Sequence, residues 1–170
     1  EASARIPMLM SGPQIPQAET VETLASLVDI YPTVLQALGA EDDDIHRPGL
    51  SLQSVIDGAG TDRAVLSEYH DGGSPVGMFM LRTDKWKYNC YPGYPPELFD
   101  MANDPDELCD LSQDPAHAGD LKRCHDKMRA LLDPSAANDL AFADQAQLIE
   151  QLGGVETIIN SEEFDHTPTH

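Results

Sequence analysis

Residues 26–39, SLVDIYPTVLQALG, constrain the fold of this chain more than any other stretch. Ser26 followed three positions later by Asp29 reads as a helix start close to a capping box, and Gly39 is placed to end the helix in the left-handed conformation. Between them Leu27, Val28, Ile30, Tyr31, Val34, Leu35 and Leu38 recur at spacings of three and four, a broad apolar stripe that must be covered by something. Pro32 fits near the start, where a missing N–H costs least if the first turn is 3₁₀-like and the regular helix begins about there. Residues 21–25, VETLA, read as a strand feeding directly into this helix.

Upstream, Ile6 and Met8 to Met10 make a short apolar run with the length of a buried strand. The residues that follow offer few pairing partners, so the rest of its sheet is expected before Glu1, and the sequence, which does not open on Met, reads as a fragment. Gly12, Pro13 and Pro16 punctuate a loop, residues 41–48 form an acidic solvated loop, and residues 49–58 form a short helical segment ended by glycine.

Residues 64–69, 77–83 and 86–91 read as three strands, the last two joined by a hairpin turn at Thr83, Asp84 and Lys85, with residues 97–100 as a short edge strand. Along the second strand Gly77, Phe79, Leu81 and Thr83 alternate with Val76, Met78, Met80 and Arg82, and one of these faces is expected to meet a helix. Asn103, Asp104 and Pro105 signal a turn, with Leu108 and Leu111 packing behind it. Asp114-Pro115 starts a helix carrying Leu121, Cys124, Met128, Leu131 and Leu132, which should lie across the sheet. Asp133-Pro134 ends it, and a second helix over about residues 138–152 presents Leu140, Ala143, Ala146, Ile149 and Leu152 before Gly153 and Gly154 stop it.

The chain of 170 residues carries 30 acidic and 10 basic side chains, a net charge of −20, which argues against nucleic acid or an anionic membrane surface as a partner. No apolar run approaches the roughly 18 residues of a membrane span. Cys90, Cys109 and Cys124 are odd in number and form no C-x-x-C pair, so neither a disulfide framework nor a zinc site is indicated.

The wording of these elements is more specific than their periodicity. A-R-I-P-M-L-M-S-G-P over residues 4–13, the V-D-x-x-P-T helix after it, S-E-Y-H at 67–70, L-R-T-D-K-W-K-Y at 81–88 and P-E-L-F-D-M-A-N-D-P-D-E-L at 96–108 occur in one order. In that order they resemble the C-terminal half of a sulfatase of the alkaline-phosphatase-like superfamily, and the resemblance covers nearly the whole chain. The tail is similar, more weakly, to those of choline-sulfatase-like and phosphonate-monoester-hydrolase-like members. The fold implied is α/β: residues 1–60 as the end of the catalytic core, 61–133 as a small antiparallel sheet packed on a helix, and 134–170 as a helical tail suited to an oligomer contact.

The chemistry implied is hydrolysis of a sulfate-ester small molecule by an intact protein that forms a homo-oligomer. In the family a formylglycine made from Cys or Ser in a C-x-P-x-R motif attacks sulfur as its hydrated aldehyde, beside a divalent cation that is usually calcium. The family's cation-binding acids and catalytic lysine precede the R-I-P strand. Calcium and formylglycine are therefore expected outside this chain, and no catalytic residue and no metal ligand is assigned within it.

Cys90-Tyr91-Pro92 has the C-x-P spacing, but Tyr94 stands where the motif needs arginine, and a structural thiol is the expected fate of Cys90. Tyr69 and His70, at a strand end before Asp71, Gly72, Gly73 and Ser74, are assigned to substrate binding on the resemblance, because the family's loop at this position faces the mouth of the cleft. Arg82, Lys85 and Lys87 around Trp86 form the one concentrated basic patch, expected as plain surface rather than an anion site. Asp104, Asp106 and Glu107 lack the spacing of a calcium loop and read as a turn. His117 and His125 are expected singly, facing solvent or packed, and His166 and His170 lie in the tail. The alternatives are a phosphonate or phosphate monoester hydrolase of the same superfamily, and a non-catalytic assembly module. Compartment, cytoplasmic or periplasmic, is not legible in the sequence.

Overall fold

The computed structural model describes residues 4–41, 46–70 and 73–160. Residues 42–45 of the acidic loop, Asp71, Gly72, His166 and His170 lie outside them. The 26–39 stretch forms as its sequence dictates. Leu27–Asp29 is a 3₁₀ turn and Ile30–Leu38 the regular helix α1, so Pro32 falls in the first turn, where no intrahelical donor is lost. The Ser26 N–H donates to Asp29 Oδ2 at 2.7 Å, one arm of the capping arrangement. Gly39 takes φ +66° and ends the helix, with the Ala40 N–H returning to the Leu35 carbonyl at 2.9 Å.

The surroundings of α1 differ from the expectation of a buried stripe. None of its residues is buried, and Leu27, Val28, Ile30, Tyr31, Val34 and Leu38 are all exposed. Residues 21–25 are irregular rather than a strand, and residues 6–10 form no ladder with any described residue. These residues therefore carry strand composition without a sheet to join. Helix α2 (Leu52–Ile56) is capped by Ser51, whose Oγ accepts from the Ser54 N–H at 3.1 Å. It is anchored rather than lying loose on the surface, because Leu52 and Val55 are buried.

Four antiparallel strands follow in simple order, β1 (Val65–Tyr69), β2 (Met78–Arg82), β3 (Trp86–Cys90) and β4 (Glu97–Asp100), each neighbour paired with the next. The β2–β3 turn closes with the Thr83 N–H on the Trp86 carbonyl at 2.8 Å. A 3₁₀ turn, Pro115–His117, started by Asp114 leads into helix α3 (Ala118–Leu131), which lies across the sheet. Its Cys124 and Met128, four residues apart on one face, meet Phe79, Leu81, Tyr88 and Leu98 in a closed core. Each fully buried large side chain there contributes about 1.5–3 kcal/mol of transfer free energy. Leu111 packs on this core, whereas Leu108 is 85% exposed, contrary to its expected place behind the turn.

Asp133-Pro134 both ends α3 and begins the next helix. Asp133 Oδ1 accepts from the Ser135 and Ala136 N–H groups at 3.0 and 3.3 Å, and Pro134 occupies the first position of α4 (Pro134–Gln151). This helix starts four residues before its expected position because the two signals overlap. Helix α5 (Val155–Asn160) follows Gly153 and Gly154. The face of α4 that meets the rest of the chain is not the expected one, since Leu140 is 62% exposed while Pro134 and Asn138 are buried and Ala137 packs on the core. Among the described residues no helix is long and apolar enough to cross a membrane.

Candidate functional site

His70 directly follows β1, and Tyr69 is the last residue of that strand, paired with Met78. The His70 ring stands edge-on to Phe79 with centroids 5.3 Å apart, and its Nε2 lies 3.4 Å from Glu68 Oε2. Glycine at 77 makes this packing feasible: a Cβ there would sit 2.7 Å from His70 Cε1 and 3.1 Å from Phe79 Cε2. Together with Gly73, Ser74, Asn138, Phe142 and Gln145, His70 lines a cleft of about 60 Å³. Tyr69 is 54% exposed beside it in sequence but does not line that cleft.

The wall opposite His70 comes from α4. Pro134, Ala137, Asn138, Ala141 and Gln145 recur at spacings of three and four and share one helix face. Asn138 Oδ1 accepts the Gly77 N–H at 2.8 Å in a buried bond, tying α4 to the start of β2. Sequence reasoning missed Asn138 because it followed the apolar residues of α4, and the contact face is built instead from Pro, Ala, Asn and Gln.

The other candidate groups are accounted for locally. Cys90 is partly buried, and burial pushes its thiol pKa up despite a hydrogen bond from Tyr88, so it is a packed thiol beside the sheet core. Burial likewise raises the Cys124 thiol, to about 11. The basic patch is internally paired: Lys87 Nζ reaches Glu107 Oε2 at 2.7 Å, Lys85 Nζ reaches Asp100 Oδ2 at 3.2 Å and lies over the Trp86 ring, and Arg82 donates to the Thr83 and Asp84 carbonyls. Asp104 accepts the Leu108 and Cys109 N–H groups at 3.0 and 2.9 Å, which makes it the organiser of a turn. His117 stands edge-on to Trp86, and His125 Nδ1 is 3.0 Å from the Tyr88 hydroxyl, so the two are packed separately.

Asp29 is the group that the sequence presented only as a helix start. It is fully buried, and Arg63 grips it bidentately, Nη1 to Oδ2 at 2.8 Å and Nη2 to Oδ1 at 2.9 Å, while the Leu50 N–H adds a bond to Oδ1 at 2.9 Å. Burial alone would raise its pKa, but Arg63 and the Leu50 and Ser26 N–H groups outweigh it and hold the carboxyl below the usual range. Thr33 extends the clip, accepting the Leu52 N–H at 2.8 Å and donating to the Asp29 carbonyl at 2.6 Å. Gly49 passes so close that a Cβ would meet the Val28 carbonyl oxygen at 2.6 Å. The Asp and Thr of V-D-x-x-P-T and the Gly-Leu-Ser-Leu that follows are thus one polar clip.

The family model for N-sulphoglucosamine sulphohydrolase, C-terminal, matches residues 1–133, which include this clip, the sheet and α3. The chain belongs to that C-terminal sulphohydrolase family. It is 39% identical over 118 residues to arylsulfatase K of Rattus norvegicus, covering 62% of this chain and 21% of that relative. Among solved structures it is similar to a 2-O GAG sulfatase, with 28% identity, a TM-score of 0.58, and coverage of 81% of this chain and 30% of that one. It is also similar to the phosphonate monoester hydrolase of Agrobacterium radiobacter, with 25% identity, a TM-score of 0.52, and coverage of 64% and 25%. The chain thus spans about a fifth of the length of the curated relatives it matches. As a C-terminal sulfatase part of the alkaline-phosphatase-like superfamily, it has the expected α/β fold with a helical tail.

The described residues contain no group of three or more His, Cys, Asp or Glu side chains arranged to hold a metal ion. Asp29, Asp100 and Glu107 are bonded to Arg63, Lys85 and Lys87, and Asp104 to backbone N–H groups.

Proposed function

We propose that the intact protein to which this segment belongs hydrolyses sulfate esters, and that the segment completes its substrate cleft, with His70 and Tyr69 contacting substrate. The match of the sulphohydrolase C-terminal family over residues 1–133 carries this reading. The formylglycine and calcium of the family would lie on residues outside this chain. Inside it, the imidazole of His70 has the chemistry to donate to an ester oxygen or to the leaving group, and the half-exposed Tyr69 offers a hydroxyl beside it. The segment alone is then inactive.

The test is sulfate release from 4-nitrophenyl sulfate by the full-length protein, by the isolated 170 residues, and by the full-length His70→Ala variant. Turnover by the full-length protein only, with a raised KM in the variant, is expected. Turnover by the isolated segment, or a variant indistinguishable from the parent, would sink the respective part of the proposal.

A second reading, phosphonate monoester hydrolysis, draws on the similarity to the Agrobacterium enzyme. Comparing kcat/KM for a phenyl phosphonate with that for the sulfate ester separates the two. The tail also fits a subunit contact, because Leu140, Phe142, Leu148, Leu152, Val155 and Ile159 are all exposed on α4 and α5. Truncation after Leu132 should then lower the oligomeric state, and an unchanged mass in solution would count against the contact.

A further inference from the structure

The geometry points to Asn138, on a helix that lies beyond the matched family region, as a positioning residue that holds His70 at the cleft. This rests on the reading of His70 as a substrate contact. Three observations converge on it. First, Asn138 is buried, and the bond it makes, from the Gly77 N–H to its Oδ1 at 2.8 Å, joins elements 61 residues apart. Second, Gly77 lies against the His70 ring so closely that one added methyl would overlap Cε1 at 2.7 Å and Nδ1 at 2.9 Å. The position of the Gly77 backbone therefore fixes where the imidazole can stand. Third, His70 and Asn138 line the same cleft, and Phe79, two residues after Gly77, supplies the ring on which His70 rests.

The helix is itself anchored so that this bond is held in place. Asp133 caps its first turn, Pro134 is buried, and Ala137 packs on the sheet core, all within about a turn and a half of Asn138. The chain of causes runs from the sheet core to α4, from Asn138 to the Gly77 backbone, and from Gly77 to the imidazole. The family match stops at residue 133, so the device belongs to the tail of this chain. The tail is thereby given a role in binding the sulfate ester, apart from any subunit contact.

The test uses the full-length protein with 4-nitrophenyl sulfate and compares Asn138→Ala, Asn138→Asp, Gly77→Ala, His70→Ala and the double variant Asn138→Ala/His70→Ala. Loss of one buried hydrogen bond corresponds to about a fivefold rise in KM for Asn138→Ala, with kcat within about twofold. Asn138→Asp keeps the acceptor oxygen and should restore KM. Gly77→Ala, which displaces the ring directly, should raise KM as well. In the His70→Ala background Asn138→Ala should add nothing, because its effect passes through the imidazole.

A raised KM in His70→Ala with an unchanged KM in Asn138→Ala overturns the positioning role alone. An additive effect in the double variant overturns it too. An unchanged KM in His70→Ala overturns the substrate-contact reading beneath it. Thermal unfolding of each variant identifies any that fails to fold. Should Asn138→Ala be lost in this way, Gly77→Ala against His70→Ala carries the decision, and a silent Gly77→Ala overturns the proposal.

Discussion

The stretch from Ser26 to Ile56 and the sheet with α3 are stabilised in opposite ways. The first is tied by a buried charge: Asp29 gathers Arg63, two backbone N–H groups and, through Thr33, a third, while the apolar side of α1 stays open. The second is tied by apolar closure, six buried side chains from β2, β3, β4 and α3 with partly buried residues such as Leu66, Trp86, Leu111 and Ala137 packed around them. A polar clip can fix the geometry of a helix without covering its stripe, because directional bonds need a few atoms and hydrophobic burial needs area. The stripe of α1 thus stays exposed among the described residues, whereas the sheet core is covered.

The comparison breaks most readily at Arg63. Arg63→Ala leaves the Asp29 charge buried without its counter-ion, a loss of about 3–5 kcal/mol, and hydrogen exchange should show α1 and α2 losing protection while the sheet keeps its own. Loss of protection across both regions would mean that they fold as one cooperative unit. In the reverse direction, Met128→Ala opens a cavity in the closed core at a cost of about 3 kcal/mol. Denaturant unfolding followed at Trp86, which packs on that core, should record it, with the bonds of Asp29 unaffected.

Acid should separate the regions again. Because the folded pKa of Asp29 is lowered, its stabilisation is fully present above the unfolded value of 3.8 and is lost as pH falls through the still lower folded value. The amide resonance of Leu50 should therefore move below about pH 4, before the sheet ladder yields. Asp100 and Asp110 in the sheet region are lowered in the same direction, so simultaneous loss would show that apolar closure does not protect the sheet as argued. The smallest expected effect is at Ser51, where removing the cap of α2 by Ser51→Ala costs about 1 kcal/mol, readable as a local rise in exchange over residues 52–56.

Local signals in the sequence determined the elements wherever a few neighbouring residues sufficed. The start and stop of α1, the place of Pro32, all four strands and the Asp114-Pro115 helix start depend on backbone preferences and periodicity, which act over one turn or one hairpin. The α3 positions Cys124 and Met128 were legible as core for the same reason. The order of the motifs was enough to point to the sulfatase family.

Other features were settled only by contacts between residues far apart in the chain. Arg63 gave no sign that it would close on Asp29, 34 positions earlier. Residues 21–25 and 6–10 have strand composition but form no ladder with any described residue, since a strand exists only where a neighbour supplies the other half of its hydrogen bonds. In α4 the apolar pattern indicated the wrong face, because the helix meets the chain through a proline, an alanine and the buried amide of Asn138. Tyr69 and His70 were named from motif order, but the closeness of His70 to Gly77 and Asn138 is a property of the packed sheet and tail. Sequence determines what each segment can be; which segments satisfy one another's polar groups and cover one another's apolar area is decided when the chain closes in three dimensions.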